Sequence, residues 1–335
     1  MPFRRLAVLL FALSATALLA CSPGSDGLTV YSGRSETLVS PVLAAFIEDT
    51  GIDISVKYAS SAAIAATILE EGGNSPADVV FLQDPGYLGS LSNAGMLDEL
   101  PQDLLNKVDG GFRSTAGDWI GTSGRSRTVV YNTVSIDPER DLPDSILGFT
   151  EPEWRGRVGW APLNASFQAF LTAFRLKFSD EEARAWLLGM QSNDVREYPN
   201  NTTIVTAVAR REVDVGLVNH YYLQRFLEEE GEEFEARNHF LKGGDPGALV
   251  LAAGAGILES TDNREGAEQF VEYLLSESAQ TYFSTTTKEY PLVEGVPADP
   301  GLPPLSSLEP PDVDLGDLTD ARGTISLLRD VGIIP

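Results

Sequence analysis

The sequence predicts an α/β protein of two lobes, in which each lobe is a mainly parallel sheet flanked by helices and two crossover strands join the lobes. Short apolar runs of strand length alternate with stretches whose apolar residues recur at helical spacing. Strands separated by helices of this length pair in parallel through crossover connections. The chain has 335 residues, which is enough for two lobes.

The predicted elements follow one another in a regular order. Three strand-and-helix units open the first lobe, with strands at 28–31, 52–58 and 77–82. The runs 124–132 and 245–254 are predicted to be the crossover strands, so the chain visits the first lobe, the second and then the first again. The expected boundaries are residues 28–127 and 252–302 for the N-terminal lobe and residues 128–251 and 303–335 for the C-terminal lobe.

Residues 1–21 resemble a lipoprotein signal peptide. Arg4 and Arg5 precede an apolar run that is too short to span a bilayer, and a lipobox-like sequence ends at Cys21. We expect a lipidated Cys21 followed by a flexible tether at 22–27, with a short transmembrane anchor as the alternative. The protein is then extracytoplasmic and lipid-anchored to the cell membrane, in a periplasm or on an outer surface. Cys21 is the only cysteine, which excludes disulfides and cysteine metal clusters.

The charge of the chain restricts its partners. The formal net charge is −25, and nucleic acid is excluded as a partner because its phosphates would be repelled. The same charge fits a secreted surface and could concentrate cations near it. By itself it is weak support for a metal function.

Tyr221 and Tyr222 stand where a strand is predicted to give way to a helix. The β-branched run from Val213 ends at Asn219, and helical spacing begins just after Tyr221. Ligands of open α/β sheets bind at this edge. Phenolate oxygen is a hard anionic donor that suits a trivalent cation, so the pair suggests a ferric-ion site. The alternative is a pair of half-buried packing aromatics.

Cations and polar residues follow other predicted strands. The loop residues are Arg34 and Ser35 after the first strand, and Gln83 and Asp84 after the third. Arg125 and Arg127 enter the first crossover strand near the expected cleft. Because arginine binds oxyanions through two parallel hydrogen bonds, Arg127 is the first candidate anion holder and Arg125 the second. An ordinary surface ion pair is the alternative.

Two predicted helix starts are further candidates for anion binding. Asn164, Ala165 and Ser166 begin one helix, where free backbone amides make an anion site. Asn201 occupies a predicted cap position in a later helix. Plain N-capping explains the same residues and is compatible with anion binding.

Six motifs resemble the ferric-ion-binding proteins of bacterial ABC importers. They span nearly the whole chain: Thr29–Arg34, Glu70–Gly73 with Pro76–Val79, Ser123–Arg127 with Val129–Tyr131, Asn219–Tyr222, Asp245–Val250 and Glu289–Leu292. This resemblance implies the two-lobe type II periplasmic binding protein fold and a transferrin-like iron site. It also implies delivery to a membrane permease driven by a cytoplasmic ATPase, and a protein that is not an enzyme.

The resemblance assigns roles residue by residue. Tyr221 and Tyr222 match the paired iron ligands. Asn201 and Asn219 match positions that hold the synergistic anion, and Asn164 with Ala165 lies where a Ser-Gly pair often does so. Two positions depart from the family, since Ser35 stands where many members have a histidine ligand and Gln83 where many have a glutamate ligand.

With the histidine and the glutamate both absent, the protein supplies only two phenolate ligands to an ion that is usually coordinated by about six atoms. Fe³⁺ with two phenolates carries +1, a carbonate makes it −1, and one arginine restores neutrality, so carbonate is favoured over phosphate as the anion. Arg127 and the helix start 164–166 are expected to hold it. Tyr87 is a possible third phenolate but is better explained by packing, and His220 and His239 are expected outside the metal shell.

Binding is expected to follow a hinged-lobe scheme in a monomer, in which the tyrosines of the second lobe and Gln83 of the first close over the ion while the crossover strands flex. One alternative is a carrier of an organic phosphonate or a similar small anion, because Ser35 and Gln83 are uncharged and Arg127 could hold an acid group. A secreted hydrolase is a remote alternative, since the sequence shows no nucleophile elbow and only two histidines.

Overall fold

The computed structural model of the chain describes residues 27–335. The predicted signal peptide, Cys21 and its lipid lie outside the described residues. The predicted tether also lies outside them, except for Gly27, which begins the first strand. Between residues 27 and 335, no helix combines the length and apolar character needed to cross a membrane.

Nine strands form the sheet of the described chain. They are β1 (Gly27–Ser32), β2 (Asp53–Tyr58), β3 (Val79–Leu82), β4 (Ile120–Asn132), β5 (Val158–Trp160), β6 (Arg196–Glu197), β7 (Val215–Asn219), β8 (Ala236–His239) and β9 (Val250–Ile257). Their order is β2-β1-β3-β9-β4-β7-β5-β6, and β8 pairs with β4. We call β2, β1 and β3 the first half of the sheet and β7, β5 and β6 the second half.

Parallel pairing builds both halves, as predicted. β1 pairs in parallel with β2 and β3, and β5 with β6 and β7. The antiparallel pairs among the described strands all involve β4 or β9. The sheet is therefore mixed at its centre, where two long strands connect the halves.

β4 and β9 are the predicted crossover strands. β4 pairs with β9 from Ile120 to Ser126 and then with β7 from Arg127 to Tyr131, so one strand belongs to both halves. β9 begins five residues later than predicted, because Asp245 caps a short turn by accepting a hydrogen bond from the backbone N–H of Gly247.

Eleven α-helices flank the sheet in the described chain. They are α1 (Glu36–Thr50), α2 (Ser61–Glu71), α3 (Pro85–Asn93), α4 (Gln102–Leu105), α5 (Ala165–Lys177), α6 (Asp180–Ser192), α7 (Asn201–Ala209), α8 (Tyr221–Glu230), α9 (Arg264–Leu274), α10 (Glu277–Thr285) and α11 (Ala321–Asp330). Most connect consecutive strands, as crossover helices do.

Helix α7 lies very close to strand β7 at Gly216. A Cβ atom there would stand 2.1 Å from Cγ2 of Ile204 and 3.2 Å from Cγ1 of Val130. We expect Gly216→Ala to lower the free energy of unfolding by about 1–3 kcal/mol, because a packed core must shift to admit the methyl group. Denaturant unfolding measures the loss. Gly73→Ala is the control, since its methyl group would meet nothing within 4 Å. Equal losses in both variants would contradict the close packing.

Candidate metal centre

The tyrosine pair lies at the predicted strand-to-helix corner. β7 is buried along its length and ends at Asn219, and α8 begins at Tyr221. The two phenol rings stack with centroids 4.4 Å apart and an interplanar angle of 29°. The guanidinium carbon of Arg225 lies 5.0 Å from the Tyr221 ring centroid. Two hydroxyl groups are thus presented side by side at the start of a helix.

His220, between β7 and Tyr221, has both ring nitrogens engaged. Nδ1 accepts a hydrogen bond from the Ser126 backbone N–H at 3.0 Å, and Nε2 lies 2.7 Å from the Lys288 carbonyl oxygen, to which it donates. Burial lowers the pKa of His220 to about 4, so the ring stays neutral. The side chain fixes the corner against β4 and is not available as a ligand.

A cavity of about 330 Å³ lies beyond the carboxyl ends of strands from both halves of the sheet. Nine predicted site residues line it: Tyr221, Tyr222, Asn164, Ala165, Ser166, Asn219, Gln83, Arg125 and Tyr87. Four predicted residues are not among its lining residues: Arg127, Asn201, Arg34 and Ser35. The structure thus separates the nine predicted residues that line the cavity from four that do not.

Arg127 supports the cavity wall from behind. Its Nη1 donates to Oδ1 of Asn219 at 2.9 Å and to Oγ of Ser166 at 3.3 Å, and its guanidinium carbon lies 5.7 Å from the Phe170 ring centroid. Burial lowers its pKa to about 10, so the group remains a cation at neutral pH. Arg127 thus ties β7 to the start of α5.

Arg125 is the cation that faces the cavity. Its side chain is 3% exposed, Nη2 donates to the Gln83 carbonyl oxygen, and Nε is buried with no hydrogen-bond partner among the described residues. Burial lowers its pKa, and the charge of Glu289 partly opposes this. Nη1 also donates to no described residue, and it is not fully buried, so it can donate to an anion in the cavity.

The first turn of α5 is built as predicted. Oδ1 of Asn164 caps the helix by accepting from the Ser166 backbone N–H at 3.0 Å and from the Ser166 hydroxyl at 2.6 Å. α2, α3 and α8 also begin at the cavity, through Ser61, Gly86 and Tyr221. Several helix N-termini therefore give the cavity a positive potential.

Asn201 differs from its predicted role as a cap. Asn200 caps α7 instead, with a reciprocal bond between its own backbone and Thr203. Asn201 is buried, and its Oδ1 accepts from the Asn219 backbone N–H at 3.0 Å. Adjacent asparagines compete for one cap position, and here the second holds the end of β7.

A buried ion pair that the sequence reasoning did not assign lies behind the cavity. Arg34 donates from Nη1 and Nη2 to the two carboxylate oxygens of Glu289 at 3.0 and 2.7 Å. Arg34 Nη1 also donates to Oε1 of Gln83 at 2.7 Å, and Ser123 donates to Glu289 at 2.8 Å. Gln83 is thereby fixed at the cavity wall. Ser35 is exposed and precedes α1 without a side-chain capping bond.

Within residues 27–335, no group of three or more histidine, cysteine, aspartate or glutamate side chains is placed to hold a metal ion. An ion in this cavity would therefore not be held by such a cluster, and the phenol oxygens of Tyr221 and Tyr222 are its main candidate ligands from the described chain. Burial raises the pKa of Tyr222, and the neighbouring Tyr221 raises it further. The phenol is protonated at neutral pH until a cation displaces its proton.

Comparison with known proteins agrees with the fold. The family profile of bacterial extracellular solute-binding proteins matches residues 42–305. The major ferric iron-binding protein of Neisseria meningitidis serogroup B is 34% identical over 326 residues, which cover 96% of this chain and 98% of that protein. The Fe(3+)-binding periplasmic protein of Serratia marcescens is 30% identical, over 92% of this chain and 91% of that protein.

Solved structures of iron-binding proteins are also similar to this chain. Iron-bound HitA from Pseudomonas aeruginosa has a TM-score of 0.83 and 37% identity, over 91% of this chain and 99% of that chain. A Trichodesmium protein (IdiA, FutA) in complex with iron and citrate has a TM-score of 0.81 and 28% identity, with the same coverage. Fold and cavity together define a type II periplasmic binding protein. The chain belongs to the bacterial ferric-ion-binding protein family, whose members are solute-binding proteins of iron transport and not enzymes.

Proposed function

We propose that this protein captures ferric iron in its cavity through Tyr221 and Tyr222, together with a synergistic anion. The observation that carries the proposal is the stacked phenol pair lining the same cavity as the partly unpartnered Arg125. Hard phenolate oxygens suit Fe³⁺, and the similarity to ferric-ion-binding proteins supports that cation.

Carbonate is the anion that the charge balance favours. Fe³⁺ with two phenolates carries +1, and carbonate brings the sum to −1, which one guanidinium neutralises. We assign this contact to Arg125, which faces the cavity, and the supporting role to Arg127, which holds Asn219 and Ser166. The first turn of α5 adds backbone N–H donors.

We propose delivery of the iron to the permease of an ABC importer by a monomer that is lipid-anchored at Cys21. Lobe closure would occur about β4 and β9, since these strands connect the two halves of the sheet. The lobes would comprise residues 28–127 with 252–302 and residues 128–251 with 303–335. The cytoplasmic ATPase of the importer would supply the energy, since the sequence has no P-loop motif of its own.

A visible-absorption titration tests the iron site directly. Iron-free protein lacking residues 1–21 is titrated with ferric citrate, with bicarbonate, with phosphate or with neither. We expect a charge-transfer band that saturates at one iron per chain and depends on bicarbonate. Saturation with phosphate alone would change the assigned anion. Absence of the band in every buffer would contradict iron binding and favour a small-anion carrier, for which phosphonates would be tested next.

Iron binding is expected to weaken as the solution becomes more acidic. The pKa of Tyr222 is raised by burial, so loading must displace a proton, and a second proton leaves Tyr221 when it ligates. Two displaced protons increase the apparent affinity by up to about 100-fold for each unit of pH increase. Proton release on loading is measured in weakly buffered solution, against the same addition without protein. Tyr222→Phe, which is expected to lose most of its iron binding, should release far fewer protons under the same conditions, and a release equal to that of the wild-type protein would contradict phenolate ligation.

A further inference from the structure

The cavity is lined by a single carboxylate among the described residues, that of Asp84. Its single lining cation is Arg125. Asp84 follows β3 directly after Gln83, at the edge where the ligand is expected. The ion capture proposed above uses the phenols and Arg125 and gives Asp84 no part.

The Asp84 carboxylate has one oxygen engaged and one free of protein contacts. Oδ1 caps α3 by accepting from the Gly86 backbone N–H at 3.2 Å. Oδ2 accepts no hydrogen bond and forms no ion pair within residues 27–335. One oxygen can therefore hold the helix while the other serves a ligand.

The surroundings make the negative charge of Asp84 costly without a cation. Burial raises its pKa, and the charge of Arg125 and the Gly86 N–H only partly oppose this. A nearby cation would stabilise the carboxylate. Carboxylate oxygen is also a hard donor of the kind that hard cations prefer.

We propose that Asp84 supplies a carboxylate oxygen, Oδ2, to the ferric ion bound by Tyr221 and Tyr222. This inference rests on the proposed iron capture. The neighbouring Gln83 cannot supply an anionic oxygen, and its Oε1 is already held by Arg34 at 2.7 Å. The carboxylate that Gln83 lacks is thus provided by the next residue.

The summed charge of the site stays close to neutral when both Asp84 and a carbonate bind the ferric ion. Fe³⁺, two phenolates, Asp84, carbonate and Arg125 sum to −1. The first turns of α2, α3 and α5 surround the cavity, and each helix N-terminus is equivalent to about +0.5 charge. The helix ends balance the additional negative charge.

Asp84→Asn tests the ligand role while keeping the cap, because asparagine caps helices as well as aspartate does. Ferric affinity is measured by citrate competition. We expect a loss of at least about tenfold, the lower range for disturbing a metal site. The charge-transfer band should also move to longer wavelength, because a ferric ion that has lost an anionic donor accepts an electron more easily. The iron-free protein should be at least as stable to thermal unfolding as the wild type, because the cap is kept and a buried charge is removed.

Two further variants separate ligation from capping and from general charge. Asp109→Asn is the matched control, because Asp109 caps a short helix through the Gly111 N–H at 2.9 Å and lies outside the cavity. It should leave affinity and band unchanged. Asp84→Ser, another neutral cap, should behave as Asp84→Asn does.

The outcomes distinguish this inference from the function on which it rests. Wild-type affinity and band position in Asp84→Asn would overturn the role of Asp84 and leave the tyrosine site standing. An equal loss in Asp109→Asn would also overturn it, since the effect would then be one of overall charge. No band in the wild-type protein would overturn the iron site itself.

Discussion

Replacement of either cavity tyrosine by phenylalanine is expected to abolish most ferric binding. Tyr221→Phe and Tyr222→Phe each remove one anionic oxygen while keeping the stacked ring, which lies 4.4 Å from its neighbour. Disturbing outer groups of a metal site costs 10- to 100-fold in affinity, so loss of a ligand should cost more than about 100-fold. Citrate competition and the intensity of the charge-transfer band measure the effect.

Tyr131→Phe is the control for these variants. Tyr131 is a half-buried residue of β4 that does not line the cavity. Its hydroxyl group can be removed without touching the proposed site, and affinity should stay within twofold of wild type, or about 0.4 kcal/mol. A band of full intensity in both Tyr221→Phe and Tyr222→Phe would show that iron binds elsewhere.

Glu289→Ala is expected to destabilise the protein severely. The Glu289 side chain is buried and forms a bidentate ion pair with Arg34, so its loss leaves a buried guanidinium without a counter-charge. Breaking a buried pair in this way costs about 3–5 kcal/mol of unfolding free energy. Denaturant unfolding of the iron-free protein provides the measurement.

Glu272→Ala is the matched control. Glu272 pairs with Lys107 at 2.8 Å, but its side chain is 60% exposed, and exposed pairs contribute about 0–1 kcal/mol. Similar losses of unfolding free energy in the two variants would mean that the buried pair stabilises the protein no more than the exposed pair does.

The Glu289–Arg34 ion pair also makes the free energy of unfolding depend on pH. Burial alone would raise the pKa of Glu289, but the charge and hydrogen bonds of Arg34 lower it below the usual value. The contribution to stability is therefore present above the pKa of the unfolded chain and is lost as the pH falls through the folded-state pKa. The acid side of the stability profile should flatten in Glu289→Ala.

The tyrosine corner was predictable because its signals are local. A β-branched run, its end at Asn219 and the helical spacing after Tyr221 lie within one short stretch. The same holds for Asn164, whose cap depends only on Ser166, two residues later. Local patterns thus identified the edge of the sheet and two of its helix starts.

The different placements of Arg125 and Arg127 were not predictable from their spacing. Residues two apart in a regular strand share a face, yet only Arg125 lines the cavity. β4 changes partner from β9 to β7 between Ser126 and Arg127, and the sequence does not show where this happens. The Arg34–Glu289 ion pair was also not predictable from local patterns, because its two residues are 255 positions apart in the sequence.

The central position of β9 restricts how this protein can be divided. β9 is the last strand along the described chain, yet it lies between β3 and β4. A fragment that stops before residue 250 lacks the strand that lies between β3 and β4, and a fragment that starts there holds one strand without a sheet. The first half and β9 can therefore not be produced together as a continuous piece of the natural sequence, because the strands of the second half lie between β3 and β9 along the chain. Studying the first half with its β9 partner requires a redesigned order of segments, in which β9 is linked directly to the strands of that half.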